Sequence, residues 1–261
     1  MILHRPELFQ HKPSLILLDL DNTLYEYAPC HAAGMAAAQA VAEENLNIGK
    51  ADFERHFAEA RAEIKARIKG QAASHNRLLY FQRALERTGF SCEVRTSLQL
   101  EKAYWCAYLD RIRVFDSVLD FLDDLRIAEI PVMIVTDLTA AIQYRKVLLL
   151  GLDGVIDGII TSEGAGSDKP TPTIFQLATE RVSEASKGMI WMIGDNPEAD
   201  LRGAKQAVGA VTLQKSHAGV EKASDPSIVD ATFESFGELR QLLQRLSNVS
   251  VSDKRSALAA G

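Results

Sequence analysis

Residues 14–23 read SLILLDLDNT, an apolar run that drives straight into two aspartates, Asp19 and Asp21, one residue apart. Four further runs share its character: IPVMIVTD (130–137), DGIITSEG (157–164), GMIWMIGD (188–195) and GAVTLQK (209–215). They are short, rich in β-branched residues, and apolar enough to be buried on both faces. The segments between the later ones, such as LTAAIQYRKVLLLGL (138–152) and TPTIFQLATERVSEA (171–185), carry helical periodicity. Strand, helix, strand, repeated, is the pattern of crossover units. It predicts an α/β fold, a doubly wound parallel sheet covered by helices.

One interval breaks the rhythm. From about Glu26 to Arg113 the chain offers Ala-, Glu-, Lys- and Arg-rich stretches, AAGMAAAQAVAEENL (32–46), DFERHFAEARAEIKARIKG (52–70) and HNRLLYFQRALERTG (75–89), all good helix formers. Gly70 and the GFSC stretch at 89–92 punctuate them. The expected organisation is therefore a core of residues 14–25 plus 114–246 and an inserted all-helical domain at 26–113. Residues 1–13 and 247–261 are expected to be flexible termini.

The 261 residues are 47% hydrophobic and 25% charged with a net charge of -6, a soluble globular composition. That balance argues against a nucleic-acid polymer as partner. Cys30, Cys92 and Cys106 lie far apart without CxxC spacing, so neither a disulfide framework nor a zinc site is indicated. With no run long enough to span a bilayer and no signal-peptide pattern, a cytoplasmic protein without a membrane partner is expected.

The strand ends carry the chemistry. Asp and Asn are ordinary turn formers, so the Asp19/Asp21 pair alone means little. The second run, however, ends in Thr136 and Asp137, the loop after the third brings Lys169, and the fourth ends in Asp195 with Asp200 five residues on. In a parallel sheet these ends meet at one crevice. Asp19, Asp21, Asp195 and Asp200 set four negative charges against the one positive charge of Lys169, and crowded carboxylates resist ionising together. A divalent cation relieves that, and an oxygen-only donor set favours Mg²⁺. Metal and lysine together suit a phosphoryl group. Asp19 is the candidate nucleophile, Asp21 the candidate acid and base, Thr136 and Lys169 the phosphoryl contacts, and Asp195 part of the metal shell.

Within the helical interval, Lys65, Arg67, Lys69, Arg77, Arg83 and Arg87 form a basic run. A solvated helix face is the default reading. The alternative is a basic surface that receives the anionic or polyhydroxy remainder of a phosphate ester, with His75, Asn76 and Arg77 as candidate substrate residues. Tyr25 and Tyr27 either line the entrance or seat the insertion on the core.

DLDNT, the run ending in Thr136, KPTPTIF (169–175) and GDNPEAD (194–200) together resemble, in order, the four motifs of the haloacid dehalogenase superfamily. The helical interval sits where that superfamily carries a cap. The resemblance implies a backbone-carbonyl metal contact from Asp21 and support of the metal by Asp200. Many relatives have Asn where this chain has Asp137, whose role the sequence leaves open. The reading reached is Mg²⁺-dependent hydrolysis of a small phosphomonoester, a sugar phosphate or nucleoside monophosphate, through an aspartyl phosphate, by a monomer or homodimer. A phosphomutase, a 2-haloacid dehalogenase and a catalytically silent binding module are the alternatives. Dehalogenation needs no acid at the position of Asp21, which favours phosphoryl chemistry.

Overall fold

The computed structural model describes every residue except 92, 183, 260 and 261, with side chains described through residue 247. In chain order the elements are β1 (Ile2–Leu3), β2 (Leu15–Leu18), α1 (Tyr27–Leu46), α2 (Lys50–Arg67), α3 (Arg77–Arg87), α4 (Val94–Arg111), α5 (Val118–Ile127), β3 (Val132–Thr136), α6 (Ala140–Leu149), β4 (Gly158–Thr161), α7 (Ser162–Ala165), α8 (Pro172–Arg181), β5 (Ile190–Gly194), α9 (Gly203–Val208), β6 (Val211–Lys215), β7 (Ala231–Phe233) and α10 (Phe236–Ala259). The sheet order is β1-β7-β6-β5-β2-β3-β4, parallel throughout except for the β1–β7 pair. This is the doubly wound α/β sheet expected from the apolar runs.

Successive strand residues alternate between two cores. Ile16 and Leu18, Val132 and Ile134, Trp191 and Ile193 face one; Leu15 and Leu17, Met133 and Val135, Ile190 and Met192 face the other. Both faces are covered, which is why these strands are continuously apolar rather than alternating with polar residues. From β2 the chain moves outward through β3 and β4, then returns to the other side of β2 for β5, β6 and β7. The carboxyl end of β2 therefore lies where the direction of winding reverses, the usual place for a ligand crevice in open α/β sheets.

Helices α1 to α4 occupy the interval without apolar strand runs. Gly34 in α1 sits so close to α4 that an added Cβ would lie 2.7 Å from the Tyr104 ring, so a side chain at this position would force the two helices apart. The aromatic residues Phe53, Phe57, Tyr80 and Tyr104 continue one core of the sheet into the insertion. The chain crosses between sheet and insertion at adjacent points: Phe115 N donates to Leu24 O at 2.8 Å, and Tyr25 bridges Val114 antiparallel.

The termini differ from expectation. Residues 1–13 are not loose: β1 pairs with β7, and Phe9 is buried against Trp191, ring centroids 5.5 Å apart. Strands of two and three residues are too short to leave a periodic pattern, so β1 and β7 were invisible in the sequence. Helix α10 continues past residue 247, where a frayed tail was expected, to Ala259. Cys30 and Cys106 are free thiols, while Cys92 lies outside the described residues. Among the described residues no helix is long and apolar enough to cross a membrane.

Candidate active site

The strand ends converge as the sequence predicted. Asp19, first residue beyond β2, is held by its own N–H, which donates to Ile193 O at 2.9 Å. Its carboxylate is pinned at both oxygens: Lys169 Nζ donates to Oδ1 at 2.6 Å and Thr23 Oγ1 to Oδ2 at 2.7 Å. The Lys169 ammonium also donates to Asp200 Oδ1 at 2.6 Å and to Val135 O at 3.1 Å, engaging all three of its donors. Asp200 reaches the site from a π-helical turn, Pro197–Arg202, and its Oδ2 accepts from Asn196 N at 3.0 Å. It lies against the last residue of β5, where a Cβ on Gly194 would come within 2.6 Å of Asp200 Cβ. Asp195 completes the group, its Oδ2 accepting from Asn22 Nδ2 at 2.7 Å. Asn22 holds a left-handed φ of 66°, which a short polar side chain tolerates.

Asp19, Asp195 and Asp200 each offer a carboxylate oxygen within 4.8 Å of the others. Burial, then the charge of Asp200, raises Asp19 to about 7 against the opposing pull of Lys169. Burial, then Asp19, raises Asp195 to about 6, and burial together with Asp195 raises Asp200 to about 6. Burial works against the charge on Lys169, but Asp19, Asp200 and Asp137 outweigh it and hold its pKa well above the ordinary value. Three acids and one lysine leave the group short of positive charge. An all-oxygen donor set with that deficit fits a hard divalent cation.

Asp21 faces another partner. Its carboxylate accepts from Lys146 Nζ at 2.5 Å, from Gln143 Nε2 at 2.9 Å and from the Tyr25 hydroxyl. Burial pushes Asp21 up, but these donors prevail and keep it below the ordinary carboxylate range. Lys146 is itself buried, with its Nζ 5.3 Å from the Tyr108 ring centroid and 5.7 Å from that of Trp105, a cation–π arrangement. The single-lysine charge count made from the sequence is thus corrected: Lys146 of α6 neutralises Asp21, whose carboxylate stands outside the acidic trio. Gln143, one turn earlier, ties the two halves together by also donating to Thr136 Oγ1 at 2.6 Å and Asp137 O at 2.7 Å. Neither residue was signalled, because a lone Lys or Gln in an amphipathic helix reads as solvent-facing. Asp137 also finds its place: its Oδ1 accepts from Lys169 N at 2.9 Å, anchoring the backbone that presents the lysine.

Asp19, Asp21, Thr136, Asp137, Lys146, Lys169, Asp195 and Asp200 line a cavity of about 380 Å³ that is bordered on the far side by the helical insertion, through Tyr27, Arg61, Lys65, His75 and Arg77. His75 Nε2 and Ser74 Oγ both lie 3.2 Å from Asp168 Oδ2, and Asp168 N donates to Gly70 O at 3.0 Å. The loop between α2 and α3 is thereby fastened to the core beside Lys169. Of the three substrate candidates, His75 and Asn76 in that loop and Arg77 at the start of α3, His75 and Arg77 border the cavity. Asn76 does not: its Oδ1 accepts from Leu78 N at 2.8 Å and caps α3, a use that competes with any ligand contact. Tyr25 is buried between Asp21 and Tyr108, whereas Tyr27 reaches the cavity.

The basic run divides. Arg83 pairs with Glu63 at 2.8 Å and Glu86 at 3.0 Å, and Arg87 with Glu59 at 2.5 Å, on the outer face. Arg67 and Lys69 are exposed. Lys65 and Arg77 turn to the cavity together with Arg61, which the sequence reading passed over.

Comparison with known proteins agrees with this geometry. A family model described as haloacid dehalogenase-like hydrolase matches residues 13–207. The chain is 38% identical to a ribulose-1,5-bisphosphate 5-phosphatase of Halopiger xanaduensis, over 87% of this chain and 98% of that protein. It is 25% identical to a glyceraldehyde 3-phosphate phosphatase of Methanopyrus kandleri, over 89% and 97% of the two chains. Among solved structures, a 2-haloacid dehalogenase from Pseudomonas syringae pv. Tomato superposes with a TM-score of 0.70 at 22% identity, covering 90% of this chain and 99% of that one, a likeness of fold.

Proposed function

Since the chain belongs to the haloacid dehalogenase-like hydrolases and is a phosphatase of that family, we propose that it hydrolyses a small, polyhydroxylated sugar phosphate of the ribulose 1,5-bisphosphate kind, through an aspartyl phosphate on Asp19. The observation that carries this reading is the meeting of Asp19, Lys169, Asp195 and Asp200 beneath a cavity lined mostly by charged and polar residues, with Leu138 and Ala199 as its aliphatic side chains. A nucleoside would bring a flat base that calls for stacking or apolar contact, for which this lining offers the rings of Tyr27 and His75 and the two aliphatic side chains against a majority of charged residues. A cavity near the small end of the usual range of roughly 300–1,000 Å³ suits a sugar better.

Asp19, oriented by Thr23 and Lys169, attacks phosphorus, and the ester oxygen departs with a proton from Asp21. Water then gives a proton to Asp21 and attacks the phosphorus of the acyl phosphate, releasing phosphate and restoring Asp19. Lys146, Gln143 and Tyr25 favour the ionised Asp21 that the second step requires. The arrival of a dianionic phosphate beside it favours proton uptake for the first. Lys169 and Thr136 would hold the phosphoryl oxygens. Asp19, Asp195 and Asp200, with the carbonyl of Asp21, would hold Mg²⁺, which supplies charge neutralisation for the phosphoryl group. Residues 26–113 would serve as a cap, and the enzyme would work in the cytoplasm as a monomer or homodimer.

The test is phosphate release from ribulose 1,5-bisphosphate by the natural chain and by Asp19→Asn, with Mg²⁺ and after chelation. Release that vanishes in the variant and on chelation, and returns with Mg²⁺, supports the reading. Turnover that survives in Asp19→Asn removes it.

A further inference from the structure

The cavity has two poles of opposite character. At the sheet edge the acids outnumber Lys169. Across from them, Arg61 and Lys65 stand four residues apart on one face of α2. Like charges at that spacing repel and destabilise a helix slightly. Neither makes an ion pair among the described residues, although glutamates on the same helix, Glu59 and Glu63, neutralise Arg83 and Arg87 close by. The neighbouring Arg77 has its guanidinium held by His75 O at 2.7 Å, Tyr27 OH at 2.9 Å and Tyr104 OH at 3.2 Å, so it adds charge to this pole with three of its five donors engaged. Burial, then Arg61 and Arg77, lowers Lys65 below the ordinary lysine value, against a weaker pull from Asp168 and Asp137. Both residues border the cavity, Arg61 exposed at its mouth and Lys65 half-buried, and among the described residues neither has an ion-pair partner of its own.

We propose that Arg61 and Lys65 form a second anion site, which holds a non-reacting phosphate at the far end of the substrate while the scissile phosphate meets Asp19. Two cations match a phosphate, which carries roughly -1.5 to -2 at neutral pH, better than a single carboxylate. The site selects phosphomonoesters with a second terminal phosphate over those ending in a hydroxyl, and it fixes which phosphate is cleaved. This rests on the phosphatase reading above.

The experiment compares ribulose 1,5-bisphosphate with ribulose 5-phosphate in the natural chain and in Arg61→Gln, Lys65→Gln and the double variant. The ratio of the two kcat/KM values should fall about 10- to 100-fold in the double variant, the range expected for one lost charged hydrogen bond. Arg61→Lys should recover part of it, and Arg83→Gln, on the outer face, should leave the ratio as it was. A ratio unmoved by the double variant, or two substrates losing equally, overturns the proposal. Calorimetric binding of both sugars to Asp19→Asn, with and without the double substitution, decides the matter separately from turnover. A selective loss of bisphosphate binding upholds the second site even if no phosphate is released, whereas equal binding in the two backgrounds refutes it even if catalysis is robust.

Discussion

Replacing Gly194 by Ala tests how tightly the acidic trio is built. Gly194 ends β5, and a Cβ there would lie 2.6 Å from Asp200 Cβ and 2.7 Å from its Cγ, closer than carbon atoms can approach. Asp200 is 1% exposed and cannot swing into solvent. It must slide, stretching its 2.6 Å bond from Lys169 and its 3.0 Å bond from Asn196 N. Losing a charged hydrogen bond costs about 1.5–3 kcal/mol, and weakening a second adds about 1. The smaller unfolded-state entropy of Ala returns about 0.4–1 kcal/mol. The net loss is about 1.5–3.5 kcal/mol, or a fall in Tm of roughly 3–14 °C for a chain of this size. Calorimetry or urea denaturation measures it, and kcat should fall with it because Lys169 loses one of its two carboxylate partners. Gly164→Ala is the control: its Cβ would meet Thr161 Oγ1 at an ordinary 3.5 Å, so a gain of about 0.4–1 kcal/mol is expected. If Gly194→Ala also gained stability and kept its rate, the close seating of Asp200 would be refuted.

Lys146→Met should lower stability by about 2–4 kcal/mol, below the upper range for a broken buried ion pair because the Asp21 side chain remains 29% exposed. Its kcat should drop as well, and an unchanged denaturation midpoint and rate would contradict the account of Asp21. Asn76→Ala should cost about 0.5–2 kcal/mol as a lost helix cap, with the sugar phosphate KM within about twofold; a large KM effect in a stable protein would return Asn76 to the substrate. Burial, then Arg77 and Arg61, depresses His31 to about 4 in the folded chain. The unfolded chain binds a proton near 6.5, so stability should be full above that pH and decline as pH falls toward 4. Urea midpoints across that window should decline less in His31→Gln; an identical decline would mean that His31 is not responsible.

The five apolar runs were legible because a strand buried on both faces needs an unbroken apolar stretch, and the reactive acids were legible because they follow those stretches directly. Lys169 could be placed by its position between the third and fourth runs. What escaped was set by packing between distant elements. Lys146 and Gln143 are buried polar residues on α6 only because Asp21, Tyr25 and Tyr108 arrive from elsewhere in the chain. Arg61 and Arg83 look alike in the sequence, yet one faces the cavity and the other pairs with Glu63. The distinction depends on how α2 and α3 lean on one another. The cap made by Asn76 was not legible because a cap and a ligand contact call for the same side chain, and only the position at which α3 begins separates them.

The paired crossing at Leu24–Tyr25 and Val114–Phe115 means that the helical module leaves and rejoins the sheet at a single seam. A module tethered that way can be exchanged between related chains by two cuts, without rethreading the strands. The graft that succeeds will be one that carries its own aromatic socket for Lys146, since Trp105 and Tyr108 travel with the module while the lysine stays behind. Compatibility between a donor module and a recipient sheet can thus be judged from that joint before any loop is designed.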